Sequence, residues 1–540
     1  MVLMRGRSRF RHAVLCFALI LCFTVTTFAY AEHGLRVVSN VQVNEDQLAF
    51  PDDYPGRSTA SLASSADGQE LLATWDDLQG FCGPPNNRAC TPPDEPGLTG
   101  FGYSTDGGQT WIDGGAPPVI GETQSAGHGW VDRGGAPGNE VYYLATRNRV
   151  TETAASLGVG VYRGHFENGT FVWDNSHLIL PAEVDFISRP SIAARKNNSG
   201  AVYVAVINAI ELCNVPFAGF GQVEVYRSHD FGETWQGPVV VSPDAAENND
   251  PEDPDCGNAG PFQIAPAATV GPRGEVYVAW VYGPRITAAG TGPTSQISFS
   301  RSLDGGRTFS PRKNVIQINT MFTNAPVGYG KNRMNDQPRI AVATGGPHRG
   351  RIYISFQEPV KPVAGTGGEQ SVVSSQAYVT WSDDQGETWS TPQAIASPVP
   401  ATRLKRFWPT VTVRPNGDVD VVYMESRERQ VTPNPTDIEC DVPIGGGLRR
   451  TGTRSSLVDT YMVQSRDGGE SWSTPVRISK ETSNWCTAAY IFPSAVYSNF
   501  GDYLGTVSLP NRTLATWPDS RNGWADIFFA EIVGTTPKND

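Results

Sequence analysis

Acids and arginines gather where extended segments of this chain end. "TWDD" sets Asp76 beside Asp77, "SFQE" ends on Glu358, and "YMESRER" carries Glu425, Arg427 and Arg429. "TWPDSRNG" carries Asp519 and Arg521, and "GDYLG" puts Asp502 beside Tyr503. Arg189 in "SRPSI" and Arg339 in "QPRIA" flank prolines. These residue types suit one kind of chemistry. Planar guanidinium forks hold a carboxylate bidentately. A tyrosine hydroxyl attacks well only when a nearby carboxylate takes its proton. The plain reading of Asp519 and Arg521 is an ion pair with each other, and that of Arg189 is an ion pair at a strand start. A separate acidic run, "DAAENNDPEDPDCGN", holds Asp250, Glu252, Asp253 and Asp255. Dense carboxylates and carbonyls of this kind suit calcium, or make a solvated loop. No histidine-based zinc pattern or phosphate-binding glycine loop occurs, so no cofactor is required and calcium is the one candidate ion.

These side chains need a scaffold, and the scaffold repeats. "YSTDGGQTW" from Tyr103, "RSHDFGETW" from Arg227, "RSLDGGRTF" from Arg301, "WSDDQGETW" from Trp381 and "QSRDGGESW" from Gln464 are variants of one phrase. Asp and Ser can accept bonds from turn amides, Gly supplies positive φ, and the closing aromatic can pack back between sheets. The phrase reads as a hairpin turn, with Asp106, Asp230, Asp304, Asp384 and Asp467 as structural acids. "VYRGHFENGTFVW" looks like a worn copy with Asn168 in the Asp slot. Each turn follows a small apolar strand, a glycine turn and a stronger strand, as in "RPSIAARKNNSGAVYVAVIN". Four-stranded units repeated in this way predict an all-β propeller. We count seven blades, with six as the alternative because the unit near Gly129 has a weak first strand. The last unit lacks a fourth strand, and "GLRVVSNVQVN" from Gly34 is placed to supply it and close the ring.

The pattern S-x-D-x-G-x-T-W resembles the Asp-box, or BNR repeat, and over Gly34 to Val533 the chain resembles the sialidase-type propeller superfamily. The pairing of "GDYLG" with W-x-D-x-R-x-G is similar to a pattern of secreted bacterial Asp-box proteins. The resemblance implies an exported glycan-active protein, a sialidase-type glycoside hydrolase acting on terminal sialic acid or a similar acidic sugar. It implies arginines on the sugar carboxylate, for which Arg189, Arg427 and Arg521 are the candidates, with Asp502, Asp519 and Glu358 as further binding groups. It implies Tyr503 with Glu425 as nucleophile and base, and Asp77 as the acid. The same turns also decorate non-catalytic propellers, so a binding protein using the same mouth is the alternative. A polysaccharide lyase on this fold would need a Tyr/His pair.

Strand order predicts which face does the work. The Asp turns are connections between third and fourth strands, on one face. The cysteines fall on the other, in longer connections. Cys82 and Cys90 share one connection, while Cys213–Cys256 and Cys440–Cys486 occupy matching positions three blades apart. We expect these three pairings among the fifteen possible. Four arginines, an apolar stretch from Ala13 and Ala29-Tyr30-Ala31 predict a signal peptide over 1–31, followed by a propeller over 32–533 and a tail over 534–540. The expectation is a secreted or periplasmic monomer with no membrane span after cleavage. A net charge of −13 excludes a nucleic-acid partner and leaves a glycan or glycoconjugate.

Overall fold

The structure, a computed structural model, describes residues 34–46, 56–77, 97–150, 157–184, 186–211, 219–242, 262–283, 286–287, 290–291, 294–319, 337–360, 362–364, 370–372, 374–397, 404–430, 443–444, 448–449, 454–485 and 500–534. The signal segment, the acidic run with Asp250, Glu252, Asp253 and Asp255, all six cysteines expected to pair, and residues 535–540 lie outside the described residues.

The fold is an all-β propeller. Strands that follow one another in sequence pair antiparallel, and five sheets carry four or five strands each. One runs Arg57–Ser64, Leu71–Asp77, Thr99–Ser104 and Ile112–Gly115 in spatial order, and another runs Phe186–Ala194, Val202–Glu211, Gly219–Ser228 and Gln236–Ser242. A sixth sheet has nine strands, because two antiparallel sets are joined by a single parallel pairing, Ser375 with Lys405. The innermost strands meet side by side around an axis. Arg57–Ser64 touches Trp130–Gly134, followed by Phe186–Ala194, Phe262–Val270, Arg339–Val342, Leu404–Val413 and Gly505–Ser508. Gly505–Ser508 packs back against Arg57–Ser64, so the ring is closed. Leu35–Val37 and Val41–Gln42 pair with Asp526–Gly534, which puts the N-terminal segment on the outer edge of the last sheet.

Packing explains why the second strand of each unit is so apolar. In Val202–Glu211, Val202, Val204 and Val206 pack with Tyr143 and Val161 of the preceding sheet. The alternate residues Tyr203, Ala205 and Ile207 pack with Val276, Val278 and Trp280 of the next. The sequence suggests period-two alternation, yet both faces are buried, because sheets stack face to face around the ring. Each buried Val or Ile contributes about 1.5–3 kcal/mol relative to exposure.

The five Asp turns share one bonding pattern, always between third and fourth strands. In the turn at Asp384, Ser382 Oγ donates to Asp384 Oδ1 at 2.8 Å and accepts from Gly386 N at 2.8 Å. Thr388 N donates to Oδ1 at 2.9 Å and its hydroxyl to Oδ2. The same bonds recur at Asp106, Asp230, Asp304 and Asp467, with Ser471 replacing threonine in the last. A Cβ on Gly386 would lie 2.1 Å from Phe299 of the preceding sheet, so the turn also seats itself on its neighbour. The worn copy differs in kind. Asn168 (φ 52°) and Gly169 (φ 78°) form a two-residue hairpin between Glu167 and Thr170, held by backbone shape rather than by a carboxylate.

Candidate functional site

The innermost strands are not straight. Each of four gains one extra residue near its start, at Ser58–Ser61, Ser188–Ser191, Ile264–Ala267 and Phe407–Thr410. Pro190, Pro266 and Pro409 fall within these bulges, where a missing N–H costs the ladder nothing. Thr59, Ala265 and Trp408 take φ of 59°, 57° and 50° there. A bulge re-aims a side chain, and here it turns strand-start residues toward the face opposite the Asp turns. The second sheet carries a larger version. Thr123–Ser125 and Trp130–Gly134 both pair with Val141–Val150, so residues 126–129 loop out between them. Gly127 (φ 82°) and His128 (φ 59°) make that loop.

Charged groups from several sheets meet around this loop. Arg189 donates to Asp502 Oδ2 through Nε at 3.1 Å and Nη2 at 3.0 Å. His128 Nδ1 lies 3.4 Å from the same oxygen, and its backbone N–H donates to Asp76 Oδ1. Tyr503, only 1% exposed, donates its hydroxyl to the Gly129 carbonyl at 3.0 Å. The Arg339 guanidinium sits 4.1 Å from the Trp130 ring centre and 4.4 Å from that of Tyr503. Arg339 is 3% exposed, and neither Nη1 nor Nη2 has a hydrogen-bond partner among the described residues. Arg147 donates Nη2 to the Ala126 carbonyl at 2.8 Å, beside Asp76.

Electrostatics follow from this crowding. Burial pushes Arg339 down to about 9, with Arg189 adding to the shift and Tyr503 and Asp502 opposing it. Burial likewise takes Arg147 to about 10 against the pull of Asp76. Burial, then the Asp76 charge, holds the Tyr503 hydroxyl well above its ordinary value. The cluster therefore holds two buried arginines whose charge burial disfavours, and one of them, Arg339, has Nη1 and Nη2 without acceptors among the described residues.

The sequence-based set divides. Arg189, Asp502 and Tyr503 come together. Glu425 does not join Tyr503, because Arg406 Nε (3.0 Å) and Arg427 Nε (3.2 Å) occupy its carboxylate. Arg427 is exposed and also donates to the Tyr461 hydroxyl at 2.6 Å. Arg521 does not converge with Arg189, since it pairs with Asp519 two residues back and with Asn40 at 2.6 Å. Asp519 also accepts from Ser483 and from Trp517 Nε1. Asp77 is held by Arg57 Nε and Trp75 Nε1, each at 3.1 Å. Glu358 accepts from Asn319 Nδ2 at 2.9 Å. Arg147, His128 and Trp130 were missed, and Asp76 and Arg339 were noticed without a role. A pair of glycines flanking a histidine, "AGHGW", was the available signal for the loop. Among the described residues, no group of three or more His, Cys, Asp or Glu is placed to hold a metal.

No protein-family model matches the chain, and no curated protein matches its sequence. Among solved structures, it is similar to an α-L-arabinofuranosidase from Fusarium graminearum bound to an iminosugar inhibitor (TM-score 0.40, 13% identity, over 92% of this chain and 98% of that one). It is similar to a Penicillium chrysogenum α-L-arabinanase complexed with arabinobiose (TM-score 0.40, 15% identity, 72% and 94%). It is also similar to a Trypanosoma rangeli sialidase in complex with the inhibitor DANA (TM-score 0.40, 12% identity, 91% and 74%).

Proposed function

We propose that this is an exported, monomeric, glycan-active propeller of seven blades, and that it hydrolyses a terminal acidic sugar of the sialic acid type. The blade count takes the nine-stranded sheet as two blades touching at one residue pair. The observation that carries the activity is the meeting of Arg147, Arg189 and Arg339 beside Tyr503. Arg339 has two unused nitrogen groups, and an entering carboxylate would satisfy them. Tyr503 is the nucleophile in this reading, and Asp76 replaces Glu425 as the group that takes its proton. To act, the hydroxyl exchanges the Gly129 carbonyl for Asp76.

The test is hydrolysis of a fluorogenic sialoside by the protein lacking residues 1–31. Turnover that disappears in Tyr503→Phe supports the reading, whereas undiminished turnover in that variant sinks it. One observation favours a second reading, a non-catalytic propeller that binds acidic glycans at the same mouth. The Tyr503 hydroxyl is capped by a carbonyl and buried, as suits a structural tyrosine. Binding on a glycan array without any turnover would select that reading.

A further inference from the structure

The mouth needs a proton donor for the leaving oxygen, and its carboxylates are poor candidates. Asp77 accepts from Arg57 and Trp75, and Glu425 from Arg406 and Arg427. Asp502 accepts twice from Arg189, and Asp519 from Arg521, Trp517 and Ser483. Asp76 accepts the His128 amide, and the proposed function gives it the Tyr503 proton.

His128 is different. Its Nδ1 lies 3.4 Å from Asp502 Oδ2, and an imidazole is a group that can both give and take a proton. Its backbone is fixed by the bond to Asp76 and by a left-handed φ of 59°. The next residue carries the carbonyl that holds Tyr503, so ring and phenol are tied to one short loop. Charges facing this loop are Asp76 and Asp502 on one side and Arg147, Arg189 and Arg339 on the other.

We propose that His128 is the general acid of this site, a role that rests on the hydrolytic reading above. In the first step the Tyr503 oxygen bonds to the anomeric carbon while its proton passes to Asp76. The glycosidic C–O bond breaks, and the leaving oxygen takes the His128 proton. In the second step water attacks the anomeric carbon and gives a proton to His128. The Tyr503 oxygen leaves and recovers its proton from Asp76. Nothing is oxidised or reduced, and the enzyme returns to its starting state.

The experiment compares two substrates in wild type and His128→Asn. Asn tolerates the left-handed backbone, so the variant tests the ring rather than the loop. Sialyllactose has a sugar alcohol leaving group that needs protonation, while a methylumbelliferyl sialoside has an aryl leaving group that needs little. The expected result is a loss on sialyllactose at least about 100-fold greater than on the aryl substrate, within the usual range for a general acid. Measuring both rates on one preparation cancels any loss of folded protein. Equal losses on the two substrates, in a protein whose wild type cleaves both, overturn the role of His128 alone. Wild type that cleaves neither overturns the hydrolytic reading and this role with it. If the variant yields no folded protein, the wild-type pH profile decides. A basic limb in kcat for sialyllactose but not for the aryl substrate supports the role, and matching limbs overturn it.

Discussion

The two faces of this propeller use the same residue types in opposite ways. On the Asp-turn face, the key aspartate of each repeated phrase accepts its bonds from residues no more than four positions away. Asp384 accepts from Ser382 and Thr388, and Asp304 from Ser302 and Thr308. On the opposite face, Asp502, Arg189 and Arg339 belong to distant parts of the sequence, and Arg339 is left short of acceptors. A self-sufficient turn can be copied from blade to blade. A site assembled across blades occurs once, and its unmet hydrogen bonding is available for a ligand.

Removing mouth charges should expose that difference most strongly. Arg189→Leu would strip the buried Asp502 of its guanidinium contacts, and breaking a buried pair from one side costs about 3–5 kcal/mol. Chemical denaturation should show the midpoint falling accordingly. Arg339→Met should do the reverse. It removes a buried guanidinium whose Nη1 and Nη2 have no hydrogen-bond partner among the described residues and keeps an apolar stem between Trp130 and Tyr503. Affinity for an acidic sugar should drop about 100-fold or more, equivalent to about 2.7 kcal/mol, while the melting temperature holds or rises. If both variants lose stability alike, Arg339 is structural and the contrast within the mouth fails.

The same contrast decides what could be read from the sequence. The turns were legible because each carries its own partners: Ser382, Asp384, Gly386 and Thr388 specify one another locally. So was the N-terminal strand, which resembles the fourth strands it replaces. The cluster around Tyr503 was not, for a physical reason. Conspicuous neighbours lie two apart and satisfy each other, Glu425 and Arg427 along one strand, Asp519 and Arg521 where a strand gives way to a turn. Groups that converge on Tyr503 are spread from Asp76 to Arg339, and no local pattern joins them. Pro190 and Pro409 did mark inner strands, but the bulges that aim their neighbours depend on pairing with a second strand.

On the turn face the next largest effect comes from the carboxylate itself. Asp384→Ala removes bonds from one serine and one threonine and should cost roughly 1–3 kcal/mol, leaving any turnover found under the proposed function unchanged. Altered kinetics at full folding would break the division between faces. Acid should probe the same bonds. Burial alone would raise Asp384 and Asp230, but bonds from Thr388 and Thr234 outweigh it and hold both at about 2. A depressed carboxylate contributes stability above its unfolded value. That contribution is lost as pH falls from about 4 toward 2. Thermal melts across that range should show a smaller acid loss in Asp384→Asn than in wild type.

The smallest expected effect distinguishes one Asp turn from another. The residue after the key acid is Gly305 (φ 73°) in one turn and Gln385 (φ 63°) in another. An ordinary side chain in this left-handed region costs about 1–2 kcal/mol, which glycine avoids at some expense in unfolded-chain entropy. Gln385→Gly should therefore raise stability by roughly 0.5–1 kcal/mol. Gly305→Ala should lower it by about 1 kcal/mol or more, although the nearest atom to the new Cβ, on His229, is a comfortable 3.4 Å away. Opposite signs in the two melts would show that backbone geometry, rather than side-chain contact, selects glycine there. Equal signs would mean that Gln385 makes a contact worth more than its strain, and that the five turns are less interchangeable than their shared bonds suggest.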